Sequence, residues 1–80
     1  MSRPDRMAPR CYFVRGREVS RREALNEWLR QVATEGMTAS YARRTFETAE
    51  ELSPRRPGEI AQARGELDGK GIVVTGAEGL

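Results

Sequence analysis

The stretch Val19–Ala33, VSRREALNEWLRQVA, decides the fold. Ser20, followed three residues later by Glu23, has the form of a capping box. In such a box the Ser20 hydroxyl accepts from the Glu23 backbone N–H, and the Glu23 carboxylate reaches back to the Ser20 N–H. Val19 and Ala24 stand at hydrophobic-staple spacing across the cap. Leu25, Trp28, Leu29 and Val32 then recur at helical period, with Arg21, Arg22, Glu27, Arg30 and Gln31 filling the opposite face. This helix holds the only Trp of the chain, so the other elements must bury their apolar surface against it.

Towards the N-terminus, Cys11–Val19, CYFVRGREV, reads as a tight hairpin. Cys11-Tyr12-Phe13-Val14 is rich in β-formers, Arg15-Gly16 fits a short turn, and Arg17-Glu18-Val19 returns. Period two puts Cys11 and Phe13 on one face and Tyr12 and Val14 on the other. Phe13 and Val19 are the expected core residues here, and Arg15 and Arg17 stand near the tip. Residues 1–10, MSRPDRMAPR, hold two prolines and three arginines without periodicity and read as a flexible basic arm.

Towards the C-terminus, Gly36 supplies a left-handed stop. Thr38 or Ser40 caps a second helix expected to run to about Leu52, with Tyr41 or Ala42, then Phe46, Ala49 and Leu52 on its apolar side. Arg43 and Arg44 near its start, and Glu47, Glu50 and Glu51 near its end, oppose the helix dipole. The glutamates read as a solvated face rather than an acid–base pair. Ser53-Pro54-Arg55-Arg56-Pro57 breaks this helix, and Pro57 opens a third that ends near Leu67 with Ile60, Ala63 and Leu67 on one side. Asp68–Gly71 is a turn, and the β-branched run Ile72–Thr75 is a strand that joins the hairpin. The expected fold is α+β: a three-stranded antiparallel sheet packed with three helices, over residues 11–76 as a single domain, with 77–80 a tail. So small a sheet leaves an edge open to augmentation, including by a second copy as a homodimer.

Eighty residues give one small core, which a partner chain would help. No apolar run reaches membrane-span length and nothing resembles a signal peptide, so the expected setting is a reducing cytoplasm without membrane attachment. The net charge of +2 is unevenly spread: residues 1–22 carry +5 and residues 23–80 carry −3. With no His, neither a Ser-His-Asp nor a Cys-His site can be assembled. Absent His and a single Cys also leave too few ligands for the usual zinc sites. Cys11 in its apolar strand reads as an inert buried thiol. Gly65–Gly71 lacks the phosphate-loop spacing and precedes a strand. The expectation is a chain that is not an enzyme and uses no cofactor or metal.

Two binding readings remain. A helix-turn-helix across Glu35-Gly36-Met37 would place Ser40, Arg43 and Arg44 on a recognition helix, but its register sets Gln31 and Glu35 where that motif needs apolar residues. Protein binding fits better, because Arg is favoured at interfaces and Arg15, Arg17, Arg43, Arg44, Arg55 and Arg56 all fall at turns or helix ends. Tyr12 and Tyr41 are the candidate aromatic anchors beside them, Tyr41 being more often half-core at such spacing.

The layout YFVRGREVSRREA, two helical segments and GIVVTG is similar to that of small anti-CRISPR proteins carried by phages and mobile elements, including inhibitors of type I systems. The resemblance covers most of the chain in size and architecture and carries no functional residues with it. It implies non-catalytic, stoichiometric binding to a CRISPR surveillance-complex or nuclease protein in the host bacterial cytoplasm. The positive charge and arginine-rich first quarter suit steric blocking rather than imitation of DNA.

Overall fold

The computed structural model of the chain describes residues 10–51 and 56–75. Three strands and three helices follow in the order β1 (Cys11–Val14), β2 (Arg17–Val19), α1 (Arg21–Ala33), α2 (Ala39–Glu50), α3 (Pro57–Asp68) and β3 (Ile72–Thr75). The fold is α+β, with an antiparallel sheet ordered β2-β1-β3. Residues 1–9 of the expected arm and the tail 77–80 lie outside the described residues.

The hairpin closes through Arg15 and Gly16, both left-handed with φ of 52° and 81°. Two consecutive positive φ values are the pattern of a type I′ turn, whose twist matches that of the strands it joins. Ile72 and Val74 are buried whereas Val73 and Thr75 are exposed, so the helices cover one sheet face only. Tyr12 and Val14 point to that covered face. The core assignment of Phe13 is therefore corrected: it sits half-buried on the helix-free face beside Cys11, opposite Glu18 and Val73. The Cys11 thiol is likewise half-buried, not fully so. Val19 packs partly buried against the core.

Helix α1 begins where the capping box places it, with the Ser20 hydroxyl accepting from the Glu23 N–H at 3.1 Å. Ala24, Trp28 and Val32 are its buried face, and Leu25 and Leu29 flank it half-buried. The Trp28 indole Nε1–H donates to the Ala42 carbonyl at 2.7 Å, so the largest core side chain leaves no polar atom unpaired and pins α1 to α2. Each such buried side chain contributes about 1.5–3 kcal/mol of transfer free energy. Gly36 turns the chain with φ of 87°, a conformation that costs a residue with a Cβ. Thr38 is the cap of α2, accepting from the Tyr41 N–H at 3.2 Å.

Within α2 the buried residues are Ala42, Thr45, Phe46, Ala49 and Glu50. This settles Ala42 over Tyr41 as the core position, and ends the helix at Glu50, short of the expected Leu52, which lies outside the described residues. Glu50 also corrects the reading of the three glutamates as one solvated face, since it is only 8 % exposed. Helix α3 follows expectation, with Pro57 in its first turn and Ile60, Ala63 and Leu67 buried.

Candidate partner-binding surface

The two ends of α2 have opposite environments. At its C-terminus, the Glu50 carboxylate receives the Tyr12 hydroxyl at 2.6 Å from β1. It also receives two donors from Arg21 of α1, Nε at 2.6 Å and Nη2 at 3.0 Å. This fork-to-carboxylate geometry is the strong form of the interaction. Arg21 lies 5.5 Å from the centre of the Phe46 ring, and Phe46 stacks on Tyr12 with ring planes 5° apart. Three elements thus meet on one buried carboxylate. Burial, then the Glu50 carboxylate beside it, pushes the Tyr12 hydroxyl up from 10.0 to about 12. The same carboxylate raises Arg21 above its ordinary value.

The unfavourable charge order along α2 is compensated from outside the helix. It has no basic residue in its own last turn. Arg64 of α3 instead donates Nε to the Ala49 carbonyl at 3.1 Å, and Arg10 donates Nε to the Glu50 carbonyl at 2.9 Å. Cationic donors on terminal carbonyls satisfy the groups the helix cannot and complement its negative end.

Tyr12 is therefore not an exposed anchor. It is 8 % exposed, and its hydroxyl is committed to Glu50. The arginines expected to contact a partner divide into two groups. Arg15 and Arg17 border one shallow concavity between the hairpin and α1, together with Glu27 and Arg30. There Glu27 takes Arg15 at 3.2 Å, Arg30 at 2.6 Å and the Gln31 amide at 2.7 Å. The Arg30 and Gln31 hydrogen bonds hold the Glu27 carboxyl below its ordinary value. Arg43 and Arg44 border a different concavity on α2, with Ser40 and Glu47, that shares no lining residue with the first. Arg56 caps α3 and pairs with Glu59 at 3.6 Å, and Arg55 lies outside the described residues.

Arg43 and Arg44 are exposed, and their guanidinium groups have no hydrogen-bond or ion-pair partner among the described residues. Beside them Tyr41 is 56 % exposed. It stands at the mouth of a cleft between α2 and α3 of about 260 Å³, with Arg44 and Thr48 on one wall and Glu59 and Glu66 on the other. Sequence reasoning left Tyr41 undecided between core and surface, because Ala42 beside it fits the apolar stripe equally. Glu50 it missed, although the signal was there: position 50 falls four residues after Phe46, on the line that carries Ala42 and Phe46.

The helix-turn-helix register is no better in the structure than in the sequence. Gln31 is half-buried and donates to Glu27 and to the Lys70 carbonyl, and Glu35 is exposed and pairs with Lys70. Among the described residues no helix is long and apolar enough to cross a membrane, and no three His, Cys, Asp or Glu side chains are grouped to hold a metal ion. No protein-family model, curated protein or solved structure matches the chain.

Proposed function

We propose that this chain is a non-catalytic, protein-binding inhibitor that acts by occupying a partner surface, and that its target is a protein of a type I CRISPR effector complex. The observation that supports binding is the start of α2, where an exposed Tyr41 stands beside two unpaired arginines. Tyr and Arg are enriched among the residues that dominate interface energetics, Tyr as a large rigid surface with a polar tip and Arg as a planar set of directional donors. Arg43 and Arg44 have no internal partner to give up among the described residues, whereas Arg15 must first release Glu27. The choice of target rests on the likeness in size and layout to anti-CRISPR proteins.

The test is a tagged pull-down from cells carrying a type I CRISPR system, with duplex DNA titrated in parallel at low and moderate salt. Capture of a surveillance-complex or nuclease protein is the expected result. Its loss in Tyr41→Ala/Arg43→Ala/Arg44→Ala, at an unchanged melting temperature, would assign the surface. Tight DNA binding that falls steeply with salt, with no captured protein, would overturn the reading and favour a small DNA-binding regulator instead.

A further inference from the structure

Among the described residues β3 is an edge strand, with β1 as its one neighbour. The Arg15 N–H donates to the Gly71 carbonyl at 2.8 Å, which sets the hydrogen-bond alternation along the pair. The Gly71 carbonyl and the backbone groups of Val73 and Thr75 therefore face β1, the Gly71 N–H donating to the Asp68 carbonyl instead, and Ile72 and Val74 present theirs outwards. Those four outward N–H and C=O groups have no partner among the described residues.

The two edges of the sheet are unequal. Strand β2 has three residues, and its Arg17 and Glu18 are both exposed and charged. Brevity and charge are the ordinary guards against edge-to-edge pairing. Strand β3, Ile72-Val73-Val74-Thr75, is one residue longer and lacks the guard of charge: every residue is β-branched, none is charged, and Val73 is 40 % exposed.

We propose that β3 pairs antiparallel with β3 of a second copy of this chain, about a twofold axis through Val73. In that register Ile72 lies opposite Val74 of the partner subunit, and Val74 opposite Ile72 of the partner subunit. Each is a hydrogen-bonded pair, so all four outward groups of each strand are satisfied at once. Val73 then faces Val73 of the partner subunit across the close, non-hydrogen-bonded spacing. Their side chains extend the Phe13–Val73 row over the helix-free face. An uncharged strand meets its own image without like-charge repulsion, whereas β2 centred on Glu18 would set two carboxylates opposite each other. The sheet so formed runs β2-β1-β3-β3-β1-β2, and only guarded edges remain. Assembly therefore stops at two. The added interface also relieves the shortage of buried surface in a chain of 80 residues. The surface is distinct from the Tyr41 and arginine face of α2, and the proposal stands independently of it.

Sedimentation of the full chain tests this. The expected mass is twice 9.0 kDa. A monomer at sub-millimolar concentration overturns the proposal, whether the edge is then covered by the chain's own termini or by a foreign strand. Val73→Lys places two ammonium groups opposite each other on an already exposed face, and is expected to sediment as a monomer with an unchanged circular dichroism spectrum. A Val73→Lys dimer would place the contact elsewhere and overturn it. The register is tested by oxidation in a Cys11→Ser background. Val73→Cys should cross-link, because facing residues of such a pair have Cα atoms about 4.5 Å apart, within disulfide reach. Thr75→Cys should not, since it would face Gly71 of the partner subunit. Equal cross-linking at both positions, or none at Val73→Cys, overturns the register.

Discussion

Two glutamates of this chain each gather arginines, and they differ less in their own exposure than in the exposure of their partners. Glu50 binds Arg21 and Tyr12 beneath the sheet, with its side chain 11 % exposed. Glu27, its own side chain 14 % exposed, binds Arg15 and Arg30 on the outer side of α1, where both arginine side chains are 67 % exposed. The distances are alike, so geometry does not separate them. Their partners do: Arg15 and Arg30 lie in water, where the attraction is offset by hydration and side-chain ordering, whereas the Tyr12 hydroxyl is buried and is left unsatisfied when Glu50 is removed. The Glu50 cluster is therefore read as a clamp that fixes β1, α1 and α2 together, and the Glu27 cluster as a solvated set of charges.

Trp28 sets the scale for this contrast. Trp28→Ala removes a side chain that is 1 % exposed and also its bond to the Ala42 carbonyl. The expected loss is about 3–5 kcal/mol in chemical denaturation, enough to unfold a domain of this size. A midpoint unchanged from the parent chain would remove Trp28 from the core. Glu50→Ala comes next, at about 3 kcal/mol, because the Tyr12 hydroxyl is left buried and unpaired while the half-exposed Arg21 recovers water. A loss as small as that of an ordinary surface substitution would show that the buried Tyr12 hydroxyl does not set Glu50 apart from Glu27.

The contrast was only partly legible in the sequence. Ser20 and Glu23 marked α1, Arg15-Gly16 the hairpin turn, Pro57 the start of α3 and the Ile72–Thr75 run the third strand, because each rests on local backbone chemistry. The inward face of β1 did not, since Phe13 and Tyr12 offer similar apolar area to a period-two pattern. What distinguishes them is 38 residues away along the chain: the Glu50 carboxylate, to which Tyr12 can donate and Phe13 cannot. The fold divides the expected arginine surface for a related reason. Sequence places Arg15 and Arg43 alike at exposed ends, but only the fold brings Glu27 to Arg15 and leaves Arg43 and Arg44 without a partner among the described residues.

Titration gives the next effect. The Tyr12 hydroxyl is raised from 10.0 to about 12 in the folded chain, so above pH 10 the unfolded chain loses a proton that the folded chain retains. Stability from this group is fully present below the unfolded value and is lost as pH rises through the folded one. The expected decline between pH 10 and 12 is about 2–3 kcal/mol. Tyr12→Phe should flatten that decline while costing about 1 kcal/mol at neutral pH, the net worth of the lost hydrogen bond. An equal decline in Tyr12→Phe would assign the alkaline transition to another group.

The smallest effect is expected at Glu27. Its carboxyl is held below the ordinary value chiefly by Arg30 and then by the Gln31 amide, so any stability it supplies is present above the unfolded value and is lost as pH falls through the folded one. Glu27→Gln keeps the shape and the amide contact while removing the charge. At neutral pH its midpoint should coincide with that of the parent chain, and added salt should change neither, because the arginines released are already in water. A loss at Glu27→Gln comparable with that at Glu50→Ala, and insensitive to salt, would mean that the Arg15–Glu27–Arg30 set is shielded from solvent in the folded chain. Arg15 would then be a fixed tie between the hairpin and α1, and the hairpin tip could no longer yield it to a partner.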